Sequence, residues 1–376
     1  MNLTKRAVSR YLSALFLIIV LVALIVGCSS PASTTAPVKT TAPTTAAPSS
    51  TAAPALSTAP PATTAPVTPA AGGIVWKATT MAPKNMFTMR NIQIIADRIG
   101  KQSNGQLTIN YMGGPEVIPA NNQAVAVQQG VIQMTVISMS YYDGIVPVGS
   151  MLDLSELTPA EEHTSGAYDF VNEYHKKAGL YYLDRGTAIN QSGLQMLILK
   201  QPITKPQDLA GKKIGATSNV IDPFMKTIGG TPVIVQTPDV YTALERGVVD
   251  GFCYPLTNSA DAQLFEVTKY VLDQPFFRGA VGIIVNLDSW NKLPADLQKM
   301  LKDITAQVLV EYANDLDGQI SKARQTATDK GVKFIKFSDT DAQYFMKTMY
   351  DGAWADVVKK LPDSVDKMKA LVQKKK

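Results

Sequence analysis

The chain reads as an α/β protein of two lobes, preceded by a long segment that does not fold. Two runs of alternating strands and helices predict the lobes, one over 74–138 and one over 213–253. Extended segments between and after them predict crossings from lobe to lobe. A helix of about 34 residues predicts a strut longer than one lobe is wide.

The first run opens with a strand over 74–80, with Trp76 alternating among its neighbours. Met89, Ile92, Ile95, Ala96 and Ile99 share one side of a helix over 85–100. A second strand over 107–111, a turn at Gly113-Gly114-Pro115-Glu116, a helix over 120–129 and a third strand over 133–138 follow. This is half of a doubly wound sheet, in which ligands meet the residues after the strands. Tyr141 and Tyr142 stand there, where a tyrosine stacks on a solute, hydrogen-bonds it, or packs beneath the loop. Thr158-Pro159 opens a helix over 160–178. His163 and His175 lie on it about 120° apart, so they cannot share one metal, and no HExxH spacing is present. Both read as parts of a solvated face. Extended segments over 180–190 and 194–200 then read as a crossing.

The second run lies within Lys200 to Pro255. Strands over 213–217, 231–235 and 248–253 alternate with helices over 220–228 and 239–246, which predicts parallel βαβ units. Ligand-facing strand ends then fall at 216–219, 236–241 and 251–258. Asn219, Tyr241 and Asn258 there are able to hydrogen-bond a polar solute. A strand over 279–286 reads as the return crossing. Leu293-Pro294 opens the long helix, with Leu297, Leu301, Ile304, Val308, Tyr312, Leu316 and Ile320 at spacings of three or four. A strand over 332–335, a helix capped by Ser338 and a short final helix end the fold.

The beginning is of another kind. Lys5, Arg6 and Arg10 precede an uncharged, largely apolar run of about 16 residues, short for a membrane span and suited to a signal peptide. It ends in Ile25-Val26-Gly27-Cys28, which looks like a bacterial lipobox, with Cys28 as the lipid carrier; an uncleaved anchor is the alternative. Residues 29–73 are Ser, Thr, Ala and Pro with Lys39 as the sole charge, which predicts a disordered tether reaching on the order of 100 Å. The expected organisation is a signal peptide over 1–28, a tether over 29–73 and a folded two-lobed domain over 74–376. Lobe I comprises about 74–190 with parts of 283–376. Lobe II comprises about 191–282 with part of the C-terminal region.

All 31 acidic residues follow Gly73 and four of the 36 basic ones precede it, which leaves the folded part a net charge of +1. That disfavours nucleic acid as a partner. With Cys28 lipidated, Cys253 has no partner for an intrachain disulfide and reads as a small core residue. There is no GxSxG elbow, no P-loop, no GxGxxG turn and no paired Cys/His set. No catalytic residue, metal site or cofactor is expected, and the chain reads as a binder.

Several stretches resemble one family. "KPQDLAGKKIGA", "GGTPVIV", "DVYTALERGVVDG" and "VNLDSWNKLPADLQ" are similar to the solute-binding proteins of TRAP (tripartite ATP-independent periplasmic) transporters, the DctP-like group. The resemblance covers 74–376. It implies a two-lobed, periplasmic-binding-protein-like fold with hinge crossings and a long connecting helix. It also implies capture of a small organic solute and delivery to a permease of a small and a large membrane subunit. The location implied is extracytoplasmic, with the lipid on Cys28 holding the chain to the membrane. An ABC-type or sensory solute-binding lipoprotein, a structural surface lipoprotein and an extracellular enzyme are the alternatives.

The family usually holds a ligand carboxylate with an arginine, whose fork bonds both oxygens. The resemblance places that arginine at Gly215, and Phe252-Cys253-Tyr254 replace the usual polar residues after "VDG". Either another arginine takes over, Arg185 first and Arg278 second, or the ligand carries no carboxylate at this point. In the second case Phe252 and Tyr254 form an aromatic wall for a larger or less charged solute.

Overall fold

The computed structural model describes residues 68–83, 85–86, 89–186, 194–217 and 221–373. The expected signal peptide, Cys28 and nearly all of the expected tether lie outside these. Eleven strands run through the described residues. They are β1 (Ile74–Thr80), β2 (Leu107–Gly113), β3 (Met134–Ser138), β4 (Leu180–Arg185), β5 (Leu194–Leu199), β6 (Lys213–Ala216), β7 (Thr231–Ile234), β8 (Gly251–Pro255), β9 (Tyr270–Arg278), β10 (Val281–Asn286) and β11 (Lys333–Ile335). They form two mixed sheets, ordered β2-β1-β3-β10-β4 in lobe I and β11-β9-β5-β8-β6-β7 in lobe II.

In lobe I, α1 (Arg90–Gln102) turns Ile92, Ile95 and Ile99 onto the sheet, where they meet Trp76, Ala78 and Leu107. α2 (Ala120–Gln128) buries Ala124 and Val127 on the other face. The helix expected over 160–178 is two helices. α3 (Pro159–Ser165) begins in a capping box, Thr158 Oγ1 accepting from the Glu161 amide and the Glu161 carboxylate from the Thr158 amide. It stops at Gly166, whose φ of +87° suits a residue without a side chain, and α4 (Ala167–Lys177) starts at once. The break turns the second histidine inward. His175 is completely buried, which corrects the expectation of a solvated face for it, whereas His163 is exposed as expected.

In lobe II, α5 (Asp222–Thr227), α6 (Val240–Glu245) and α7 (Leu256–Asp261) flank the sheet. The expected parallel units exist where β6 pairs β7 and β8, and β11 pairs β9 in parallel at the other edge; β5 is antiparallel to both β8 and β9. β9 was not anticipated, because Asp273-Gln274-Pro275 interrupts its apolar alternation. Every residue of β8 is buried. Its period of two sends Cys253 into one apolar cluster and Phe252 and Tyr254 into another.

The expected crossings are located between strands rather than within them. β4 belongs to the lobe I sheet and β5 to the lobe II sheet, and the chain between them, 187–193, lies outside the described residues. The return is Gly279-Ala280, between β9 and β10. The end of β4 and the return are tied together: the Gly186 amide donates to Val281 O at 2.7 Å, Asn91 Nδ2 donates to Gly186 O at 2.9 Å, and the Ala280 amide donates to the Asp153 carboxylate.

After α8 (Leu287–Asn291), α9 (Ala295–Asp329) is the predicted strut, 35 residues and about 50 Å long, unbroken through Gly318. Leu297, Leu301, Ile304 and Val308 pack on lobe I. The smaller Ala323 and Ala327 meet Ile198, Leu256 and Phe265 of lobe II. Arg98 grips Glu311 at its lobe I half and Arg324 grips Asp273 at its lobe II half. α10 (Asp339–Lys360) sets Phe345 and Met349 against Phe224 and Phe276, and α11 (Val365–Val372) returns to α3 and α4. No helix of the described residues is long and apolar enough to cross a membrane.

Candidate functional site

The two tyrosines after β3 part company. Tyr142 turns back into lobe I, where its hydroxyl lies 3.0 Å from His175 Nε2. His175 Nδ1 lies 2.8 Å from the Val171 carbonyl, which only accepts, so Nδ1 carries the proton and Nε2 accepts from Tyr142. Burial keeps that imidazole neutral, its pKa pushed down to about 4. Tyr142 is therefore a core residue, which corrects its place among the ligand contacts. Tyr141 turns the other way, across to lobe II, with its hydroxyl near the side chains of Thr217 and Thr237, which oppose the effect of burial on its pKa. Those residues follow β6 and β7, where an open α/β sheet presents its loops.

A second set of contacts extends the same seam. Tyr254, on β8, lies near the side chains of Thr237 and Asn258, and its hydroxyl donates to Met86 Sδ, 3.9 Å away in the lobe I segment after β1. Burial raises the pKa of both Tyr141 and Tyr254, so both stay protonated donors at neutral pH. Ala82, Met86 and Met89 of lobe I pack here with Val235, Val240, Phe252 and Tyr254 of lobe II. The seam thus joins hydroxyls, one amide and apolar surface, with no charged side chain among these contacts.

Gly215 lies directly beneath Phe252. A Cβ built there would stand 2.3 Å from Phe252 Cδ2 and 2.5 Å from Cε2. Phe252 is fully buried and its ring meets Tyr254 edge-on, with centroids 5.5 Å apart. The aromatic wall exists, and it occupies the space into which any side chain at 215 would project.

Arg185 is differently employed than expected. It is 1% exposed, and its Nε and Nη2 donate to the two oxygens of Glu162. Nη2 also donates to Leu152 O at 2.9 Å, so both of its hydrogens are used. Either way of gripping a second carboxylate with two bonds needs Nη2. As placed, Arg185 is a buried structural pair and not a bidentate ligand clamp, which corrects that expectation. Burial works against its charge, but Glu162 more than offsets it and its pKa is raised. Nearby, burial pushes Asp153 up to about 7; one of its oxygens takes the Ala280 amide, and the other has no partner in the described residues. His163 stands 3.2 Å from Asp184, which raises its pKa.

The remaining expectations divide. Tyr241 is not brought to the seam: it lies near Glu266, which is itself paired with Lys330. Asn258 is there, buried beside Tyr254. Cys253 is a core residue within 3.7 Å of Gln195 Oε1. Asn219 and the side chain of Arg278 lie outside the described residues; the Arg278 backbone pairs with Leu194 at the end of β9. Sequence reasoning passed over Thr217, Thr237 and Met86. The threonines fall inside the predicted strand ends, where that position was their only signal, and an apolar loop methionine carries none.

Two α/β lobes joined by paired crossings and meeting at their strand ends define a hinged solute-binding protein. The chain belongs to bacterial extracellular solute-binding protein family 7, whose DctP model matches residues 79–360. It is a solute-binding protein of the TRAP type, as the sequence resemblance implied. It is 24% identical to a monocarboxylate 2-oxoacid-binding periplasmic protein of Nostoc, over 73% of this chain and 77% of that one. Identity is 23% to the C4-dicarboxylate-binding periplasmic protein DctP of Rhodobacter capsulatus, over 70% and 78%. Among solved structures, a TRAP periplasmic solute-binding protein of Desulfovibrio salexigens with bound orotic acid superposes with a TM-score of 0.72, at 19% identity, over 79% of this chain and 97% of that one. A Bordetella pertussis extracytoplasmic solute receptor binding pyroglutamic acid, DctP7, gives 0.68 at 19%, over 80% and 98%.

Proposed function

We propose that this protein captures a small organic solute, an organic acid or a related polar or aromatic compound, and hands it to a TRAP permease of a small and a large membrane subunit. The observation that carries the reading is the reach of Tyr141 from lobe I to Thr217 and Thr237 of lobe II. A solute that contacts both lobes at such a seam stabilises the closed state over the open one, because only the closed state offers both sets of contacts. Tyr141, Thr217, Thr237, Tyr254 and Asn258 are the proposed contacts, with Gly215 and Phe252 shaping the wall. The solutes named for the relatives and structural neighbours, 2-oxoacids, orotic acid and pyroglutamic acid among them, support an organic-acid class. Cys28 carries the lipid in this reading, and residues 29–73 tether the domain above the membrane. In this reading the protein performs no catalysis.

The test is a thermal-shift screen of the purified protein against dicarboxylates, keto acids, sugar acids, aromatic acids, neutral sugars and amino acids. A specific solute present at about 100 times its Kd stabilises the fold by about 2.7 kcal/mol. A selective hit that also lowers the radius of gyration in X-ray scattering is the expected result. Turnover of a hit would favour the enzyme alternative, and the absence of any shift in well-folded protein would favour a structural lipoprotein.

A further inference from the structure

The described side chains that form the lobe II wall of the seam are uncharged, and one contact keeps them so. β8 presents Phe252 and Tyr254 on the face that meets Met86 of lobe I. A Cβ at position 215 would stand 2.3 Å from the Phe252 ring, closer than packed carbon atoms approach, and the ring is planar and fully enclosed. No residue but glycine therefore shares the wall with Phe252 as it is placed. Around the wall stand the hydroxyls of Tyr141, Thr217, Thr237 and Tyr254 and the amide of Asn258. The nearby buried arginine, Arg185, has its fork closed on Glu162. No cation is among the described contacts of this wall, so an ionised carboxylate pressed against it would lose its water without compensation from them, which is costly. Hydroxyls and an amide, which both donate and accept, match carbonyl, amide or hydroxyl groups beside an apolar ring face.

We propose that lobe II grips its solute by an uncharged face, a ring or amide bearing carbonyl, amide or hydroxyl groups, and that Gly215 with Phe252 is the pair that determines this choice. The proposal rests on the solute-binding reading and narrows it. A carboxylate on the solute is directed away from this wall and adds little to affinity.

Calorimetric titration of the full chain with four matched pairs tests this: orotate and uracil, pyroglutamate and pyroglutamide, galacturonate and galactose, succinate and succinamide. For any pair that binds, the neutral member is expected to have a Kd within about tenfold of the acid's. In the double variant Gly215→Arg with Phe252→Ala, the preference is expected to move toward the acid by more than about tenfold. An acid bound by the wild-type protein more than about tenfold tighter than its neutral partner overturns the proposal and leaves the solute-binding reading standing. Binding of none of the eight by protein that unfolds cooperatively overturns both. The wild-type pairs decide the matter even where the double variant fails to fold.

Discussion

At the scale of single residues, the crossing region concentrates buried charge. Arg185 and Glu162 are each only a few per cent exposed, and their pairing also holds Leu152 in place. Breaking such a pair leaves an uncompensated buried carboxylate, so Arg185→Ala is expected to cost about 3–5 kcal/mol in urea unfolding. A loss of solute binding in that variant would therefore report on the fold and not on a ligand contact. Asp153 gives a pH signature. Its pKa is raised in the fold from 3.8 to about 7, by burial first, with Asp143 adding to it while the Ala280 amide and Arg185 oppose it. The folded state thus binds this proton more tightly than the unfolded one. The stability it contributes is full below about pH 4 and is lost progressively as pH rises to about 7. Denaturation at pH 4.5, 6 and 8 should show the wild-type protein losing stability with rising pH relative to Asp153→Asn, which lacks the titration. Parallel curves for the two proteins would show that Asp153 does not titrate with unfolding.

At the scale of elements, α9 is held by two kinds of contact of unequal worth. Arg98 and Glu311 are partly exposed, and exposed ion pairs contribute at most about 1 kcal/mol. Leu301 is completely buried between α9 and the lobe I sheet. Leu301→Ala is expected to cost about 2–5 kcal/mol by transfer and cavity, whereas Arg98→Ala stays within about 1 kcal/mol. Urea unfolding of both variants checks the ordering, and equal losses would mean that the strut is held by its ion pairs. The same helix shows what periodicity conveys. Its stripe, its proline start and its length were all legible, because a helix buries what falls every three or four residues wherever it sits. The break at Gly166 was not. A glycine inside a periodic pattern is tolerated in a helix, and only packing decides whether it takes a positive φ. β9 was missed for the converse reason: a strand completed by its neighbours' hydrogen bonds does not need an apolar alternation of its own.

At the scale of the whole molecule, the crossings are the parts that allow motion and the seam is the part that rewards closure. Tyr141→Phe removes one hydroxyl from the seam and leaves the packing of lobe I intact. It is expected to weaken solute binding by about 0.5–1.5 kcal/mol, several-fold in Kd, with little change in the unfolding midpoint of the unliganded protein. Titration with whichever solute the thermal screen identifies, beside a melting curve, separates the two effects; unchanged affinity would remove Tyr141 from the site. The sequence by itself determined the two α/β lobes, the crossings, the strut and the family, because these follow from periodicity, turn residues and contiguous motifs. Tertiary structure alone decided which groups meet. It sent Tyr141 to the seam and Tyr142 to His175, closed Arg185 on Glu162, and laid Phe252 over Gly215. Neighbouring residues in one loop look alike in sequence, but a side chain's partner is fixed by which face of the fold it points to, and local sequence does not specify that direction.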